Sequence, residues 1–204
     1  MKLISITLLF LTSICYCYGQ ESFNEEIFSD YEKFLKDIKK DTLIVHRSKE
    51  YTCSDNFFGT VHYYYQNEKL KLIEHVYKQG FYNDYEFELY YINNDSLALR
   101  SMKTLISHQN TVSYQNKYST GVSVENVYEL IEQRTVIDNK NLTQQCYSRG
   151  QDKEMSESEK LNFEKSECME SLEEIDFKYK FLLKVEKKFL RAYHKGPACI
   201  FHIW

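Results

Sequence analysis

Tyr64-Tyr65-Gln66-Asn67-Glu68-Lys69-Leu70-Lys71-Leu72 recurs as Tyr90-Tyr91-Ile92-Asn93-Asn94-Asp95-Ser96-Leu97-Ala98-Leu99, with one residue added at the turn. Each copy reads as an aromatic strand, a polar turn and a leucine strand. Asn-centred breaks between alternating apolar runs are the short-range signature of a β-hairpin. In the first copy a two-residue turn at Asn67-Glu68 sets Tyr65 opposite Leu70 and Tyr63 opposite Leu72. In the second, a three-residue loop at Asn93-Asn94-Asp95 sets Tyr91 opposite Leu97 and Leu89 opposite Leu99. Directly opposed residues share a face, so each hairpin gains one apolar face. A fainter third copy, Ile137-Asp138-Asn139-Lys140-Asn141-Leu142, marks another turn but lacks the alternation that fixes a register.

Around these hairpins the whole stretch 42–150 is rich in β-branched and aromatic residues with period-two alternation. The one proline, Pro197, lies beyond it, so none interrupts a strand. These signals predict an antiparallel β-meander of roughly six or seven strands, with His108–Asn126, rich in Asn, Ser, Thr and Gly, as a long loop within it. Helices flank the meander. Over 22–40, Phe23, Ile27, Tyr31, Phe34, Leu35 and Ile38 form one apolar stripe, and Ser22 with Glu25 has capping-box spacing. Over 155–193, Leu161, Cys168, Leu172, Ile175, Tyr179, Leu182 and Phe189 repeat every three or four residues behind a second capping-box spacing at Ser156 and Glu159. That stretch is long for one helix, and a break is expected near Asp176–Lys180. Its charges run from acidic (Glu154 to Glu174) to basic (Lys178 to Lys195). Complementation of the helix dipole and solvation explain this more simply than an anion-binding or membrane-facing patch. The tail 194–204 is apolar and is expected to dock on the core. The fold class is α+β, with the N-terminal helix and the C-terminal helical segment packed on one face of the meander.

Residues 1–19 have the parts of a cleavable signal peptide: Lys2, a twelve-residue apolar run from Leu3 to Ile14, and Cys17-Tyr18-Gly19 before Gln20. The run is too short to span a bilayer as a helix, and the residues preceding Cys15 and Cys17 are too large for lipid attachment. Cleavage before Gln20 leaves a single exported domain, 20–204, secreted or periplasmic, with no second long apolar run and so no transmembrane segment in the mature chain. Lys2 is the leader's only charge, so the mature chain has 25 basic and 30 acidic side chains, a formal balance of −5. That balance argues against a nucleic-acid or anionic-membrane partner. Of six cysteines, two fall in the leader. The remaining four, Cys53, Cys146, Cys168 and Cys199, suit two disulfides in an oxidising compartment, with three connectivities open.

Chemistry is sparse. There is no His-Glu-x-x-His, no Cys-x-x-Cys, and no Gly-rich phosphate loop. His62 and His75 lie on neighbouring predicted strands without a third ligand, so no metal and no cofactor are expected. Gly121-Val122-Ser123-Val124-Glu125 lacks the second glycine of a nucleophile elbow. Glu86 and Glu88 share a strand face, expected to be the wet one. Tyrosine is the compositional outlier at 18 residues. Tyr64 and Tyr90 are therefore the candidate binding surface, a flat aromatic patch for a protein, peptide or glycan, weighed against the plainer account that one face fills a core. Asn94-Asp95-Ser96 and Asn141-Leu142-Thr143 match the glycosylation sequon within turns that favour Asn anyway.

The repeated Tyr-Tyr-x-Asn-x-x-Leu hairpins, the Gly-Gln cleavage region and a helix after the last hairpin resemble small secreted proteins of the Bacteroidetes type. In such proteins a glycine often follows the turn Asn, where this chain has Glu68 and Asp95. The resemblance implies a periplasmic or extracellular α+β domain and brings no catalytic residues. With catalytic motifs missing, the expected function is a non-enzymatic binding or interaction module outside the cytoplasm. The alternatives are an exported hydrolase using Glu86 or Glu88, and a structural envelope protein.

Overall fold

The repeat is closer than the sequence alignment suggests. In the computed structural model, both turns contain two residues at positive φ: Asn67 at 51° and Glu68 at 63°, Asn94 at 50° and Asp95 at 60°. This conformation matches the twist of the flanking strands. Gln66↔Lys69 and Asn93↔Ser96 close the turns; Tyr65↔Leu70 and Ile92↔Leu97 follow; a β-bulge comes next in each. Past the bulge Tyr64 faces Leu72 and Tyr91 faces Leu99. The hairpins are thus one unit repeated without a gap. The expected three-residue loop is corrected, because Asn94 and Asp95 both accept the left-handed region and let Asn93 pair. The bulges correct two expected pairs as well: Tyr63 lies opposite Ile73, and Leu89 opposite Ser101.

The structure describes residues 24–40, 43–79, 86–115, 120–152, 162–189 and 199–202. The leader, Ser22, the Ser156–Glu159 spacing and most of the tail lie outside these. Eight antiparallel strands form one sheet in sequence order: β1 (Val45–Ser54), β2 (Phe57–Gln66), β3 (Lys69–Gln79), β4 (Glu86–Asn93), β5 (Ser96–Gln115), β6 (Thr120–Asp138), β7 (Thr143–Asp152) and β8 (Glu164–Ser166). The fold is an α+β meander, with slightly more strands than expected. The loop expected over 108–126 is instead ladder, running from His108↔Val127 to Gln115↔Thr120. Its polar residues suggest a loop, but Thr111, Val112, Thr120, Val122 and Val124 favour extended backbone, and ladder bonds need no apolar side chain. β8 lies inside the stretch expected to be helical.

By backbone contacts the chain divides between Ile44 and Val45 into two compact units. The first contains α1, residues 24–38, on which Ile27, Tyr31 and Phe34 are buried at helical spacing. The second holds the sheet, α2 (Leu172–Phe189) and a 3-10 turn at Ile200–His202. Among the described residues no helix is long and apolar enough to cross a membrane.

α2 starts where a capping box occurs three-dimensionally: the Ser171 amide and hydroxyl both donate to Glu174 Oε2 at 2.8 Å, and the Glu174 amide donates to Ser171 Oγ at 3.3 Å. The helix is unbroken through the expected break, where Asp176 and Lys180 form an i,i+4 ion pair at 2.6 Å. Glu173 and Glu174 lie in its first turn and Lys187 and Lys188 in its last, complementing the dipole. Ile175, Tyr179, Leu182 and Val185 are buried. They join Tyr51, Val61, Tyr63, Ile73, Tyr90, Ile92 and Ile137 of the sheet in one core. Tyr63 donates to the Leu182 carbonyl at 3.0 Å, and Tyr65 to Glu186 at 2.8 Å.

Two disulfides pin the chain on either side of α2. Cys146–Cys168 ties the segment before it to β7, and Cys53–Cys199 ties the 3-10 turn after it to β1. Gln133 and Gln144 add side-chain bonds to the Glu167 and Glu170 carbonyls at 2.9 and 3.0 Å. These bridges fit an oxidising environment, extracellular or periplasmic.

Candidate functional site

The register fixes which side chains share the helix-covered face. Tyr63, Ile73, Tyr90 and Arg100 form one cross-strand row; Val61, His75, Glu88 and Met102 form the next; Tyr51, Gly59, Tyr77 and Glu86 form a third. Along β3 and β4, polar and aromatic residues therefore alternate into the core instead of facing water. Gly59 makes this packing possible. A Cβ there would lie 2.5 Å from the Val76 carbonyl oxygen and 2.9 Å from the Tyr51 hydroxyl. Without one, the Tyr51 ring reaches over Gly59, and its hydroxyl meets His75 Nε2 at 2.8 Å.

Glu88 is the hub. Its side chain is 2 % exposed. Arg100 Nη2 donates to Oε1 at 3.0 Å, Lys178 Nζ at 3.2 Å and the Tyr77 hydroxyl at 3.2 Å. The Tyr90 hydroxyl donates to Oε2. Burial alone raises a carboxyl, but the Arg100 and Lys178 charges and the Tyr90 bond outweigh it and hold Glu88 down at about 2. The Tyr77 hydroxyl also lies 2.7 Å from Glu86. Lys178 reaches from α2 to Glu170 at 2.8 Å, and Arg100 lies 3.3 Å from the same carboxylate. His75 is stacked on Tyr77 with centroids 4.5 Å apart. Burial pushes its imidazole down to about 4, against the pull of Glu88, so it is neutral above that pH.

Above this network lies a pocket of about 360 Å³. Glu88, His75 and Lys178 form its polar side, and Tyr77, Phe57, Phe177, Phe181 and Phe201 contribute aromatic walls. Phe201 is stacked on Phe181 at 4.9 Å and tilted against Phe57 at 5.0 Å. The Cys53–Cys199 bridge therefore helps build the pocket, because it sets Phe201 in place. Phe177, on the pocket wall, is 60 % exposed.

The residues singled out from sequence fare differently. Tyr90 is fully buried, while Tyr64 is half-buried on the opposite face, in the row His46, Tyr64, Leu72, Tyr91. They form no common surface. Register sets this: Tyr64 shares its row with Tyr91, and Tyr90 shares its row with Tyr63. The expectation that Glu86 and Glu88 face water is corrected: they share the helix-covered face with Tyr90, and Phe87 is the exposed neighbour. His62 and His75 lie on opposite faces and cannot join in one site. All four cysteines pair, as 53–199 and 146–168. Gly121–Glu125 runs within β6 and makes no strand-to-helix elbow. Lys178, Arg100, Tyr77 and Phe201 were not singled out, and His75 was weighed only as a partner of His62. The available signal was phase: with Ile73 and Tyr90 inward, period two places His75, Tyr77 and Glu88 inward as well.

A second buried charge cluster lies on the other face. Glu132 accepts from Ser101 at 3.1 Å, Arg134 at 3.2 Å and Arg149 at 2.5 and 3.1 Å. Both guanidinium groups lie over the Phe163 ring, at 4.2 and 4.3 Å. Among the described residues no group of three or more His, Cys, Asp or Glu side chains is placed to hold a metal ion.

Fold and site together define a disulfide-stapled α+β meander with an aromatic-walled pocket between the sheet and its C-terminal helix. No protein-family model matches the chain, and no curated protein or solved structure is significantly similar to it.

Proposed function

We propose that this is an exported, non-enzymatic binding module whose ligand is a small molecule with an apolar or aromatic body, held between β3, β4 and α2. The observation that carries this reading is the pocket of about 360 Å³, with aromatic rings on its walls and Glu88, His75 and Lys178 on its polar side. Ligand sites are typically apolar concavities with a few placed polar groups. Binding is favoured over turnover by the state of Glu88. A general acid needs a raised pKa and a proton to give, whereas Glu88 is held ionised and already accepts four hydrogen bonds.

The test is a fragment screen by ligand-observed NMR on the oxidised protein, repeated on Gln79→Trp. Gln79 is an exposed rim residue, so tryptophan there occludes the pocket without entering the core. Aromatic fragments that bind the parent and are lost from Gln79→Trp support the reading. Binding that survives Gln79→Trp, or a screen without hits, refutes it. Tyr64→Ala, on the other face, should leave binding unchanged.

A further inference from the structure

The face opposite α2 carries a pair of histidines that the pocket does not use. His46 on β1 and His62 on β2 lie diagonally across one ladder, in the successive rows His46↔Tyr64 and Ser48↔His62. His46 Nε2 and His62 Nδ1 are 2.9 Å apart. The ring centroids are 5.1 Å apart, so the imidazoles meet tip to tip, nitrogen against nitrogen. The Tyr64 ring stacks on His46 at 4.8 Å, and its hydroxyl is anchored on Glu74 at 3.0 Å. The pair is backed by negative charge: Glu74 lies directly opposite His62, and Glu50 is two residues from Ser48 on the same face.

We propose that His46 and His62 chelate a late first-row divalent ion, Cu2+ in preference to Zn2+, with water in the remaining positions. Two ligand nitrogens at about 2.0 Å from a metal, in adjacent positions of a square plane, lie about 2.8 Å apart. The observed 2.9 Å is the span of a hydrogen bond between the two rings, and it brings both nitrogens within reach of that edge; a tetrahedral site needs about 3.3 Å. His46 is exposed, so rotation of its ring turns both lone pairs toward one point without disturbing the core. Binding shifts one imidazole to its other tautomer. A two-imidazole site of this kind has moderate affinity, and copper outranks zinc in it by the general order of divalent stabilities.

The experiment is a titration of tag-free, disulfide-intact protein with CuCl2 and, separately, ZnCl2 in a non-coordinating buffer. Calorimetry reads stoichiometry, and electron paramagnetic resonance reads nitrogen coordination to copper. The expected result is one Cu2+ per chain with two nitrogen ligands, and weaker Zn2+ binding. His46→Ala and His62→Ala should each lower Cu2+ affinity by about tenfold or more. His46→Ala is the decisive variant, since an exposed side chain is removed and melting should be unchanged. The proposal is overturned by the absence of saturable 1:1 binding, or by binding that both variants retain, which would mean an adventitious ion only. Zn2+ bound as tightly as Cu2+ would overturn the square-planar assignment.

Discussion

Acid should unfold this protein in two separable steps, and the buried network says which residue governs each. His75 has an ordinary pKa of 6.5 and a folded value of about 4. Above pH 6.5 neither state binds its proton. Between 6.5 and 4 the unfolded chain binds it and the folded chain does not, so stability falls. Glu88 repeats the pattern lower down, from an ordinary 4.5 to a folded value of about 2. Its contribution is complete above 4.5 and is lost as pH falls through about 2. At about 1.4 kcal/mol per pH unit, each gap is worth about 3 kcal/mol. Glu88→Gln should also lose about 3 kcal/mol at neutral pH, because Arg100 and Lys178 are left with Glu170 alone. The assay is urea unfolding of the oxidised protein from about pH 8 to about pH 2, for the parent, His75→Gln and Glu88→Gln. In each difference from the parent, side chains distant from the network, His62 among them, cancel, while His75 and Glu88 also act on each other. His75→Gln should flatten the upper window and Glu88→Gln the lower one. Equal slopes in parent and His75→Gln between pH 6.5 and 4.5 would refute the argument.

Further predictions follow from the backbone and the bridges. Gly59→Ala places a methyl against the Val76 carbonyl and the Tyr51 hydroxyl, and should cost about 1–3 kcal/mol by chemical denaturation while breaking the Tyr51–His75 bond. Glu68→Gly should do the opposite. Its φ of 63° is one a side chain resists and glycine does not, so a gain of about 1 kcal/mol in the same assay is expected. Replacing Cys53 and Cys199 by serine should cost about 5 kcal/mol and replacing Cys146 and Cys168 about 3 kcal/mol, from loops of 146 and 22 residues, read as a difference in denaturation midpoint. Only the first pair of replacements should also weaken fragment binding, because only that bridge positions Phe201.

Much of the fold was legible in the sequence because it is local. The meander follows from strand runs separated by Asn-bearing turns, and a two-residue turn enforces antiparallel neighbours whatever the rest of the chain does. The apolar stripe of α2 showed in the spacing of Ile175, Tyr179 and Leu182, and an even cysteine count gave the redox state. The site was less legible. Its composition depends on phase, and the phase of β4 turns on its loop: Asn94-Asp95 as a two-residue turn sets Ile92 opposite Leu97, where a three-residue loop puts Tyr91. A slip of one residue exchanges inward for outward along a strand, so Glu88 read as wet and Tyr90 as part of an exposed surface.

An antiparallel meander, a helical stretch before and after it in the chain, four cysteines fit to pair, and turns at Asn67 and Asn94 could all be read directly. Those are properties of short windows, where backbone preference and side-chain period act without distant partners. That Glu88 meets Arg100 and Lys178, that Cys199 carries Phe201 to the pocket wall, and that His46 rather than His75 is the neighbour of His62 emerges in three dimensions alone. Each of these joins residues on different elements, and register and burial, which no local window contains, fix such contacts.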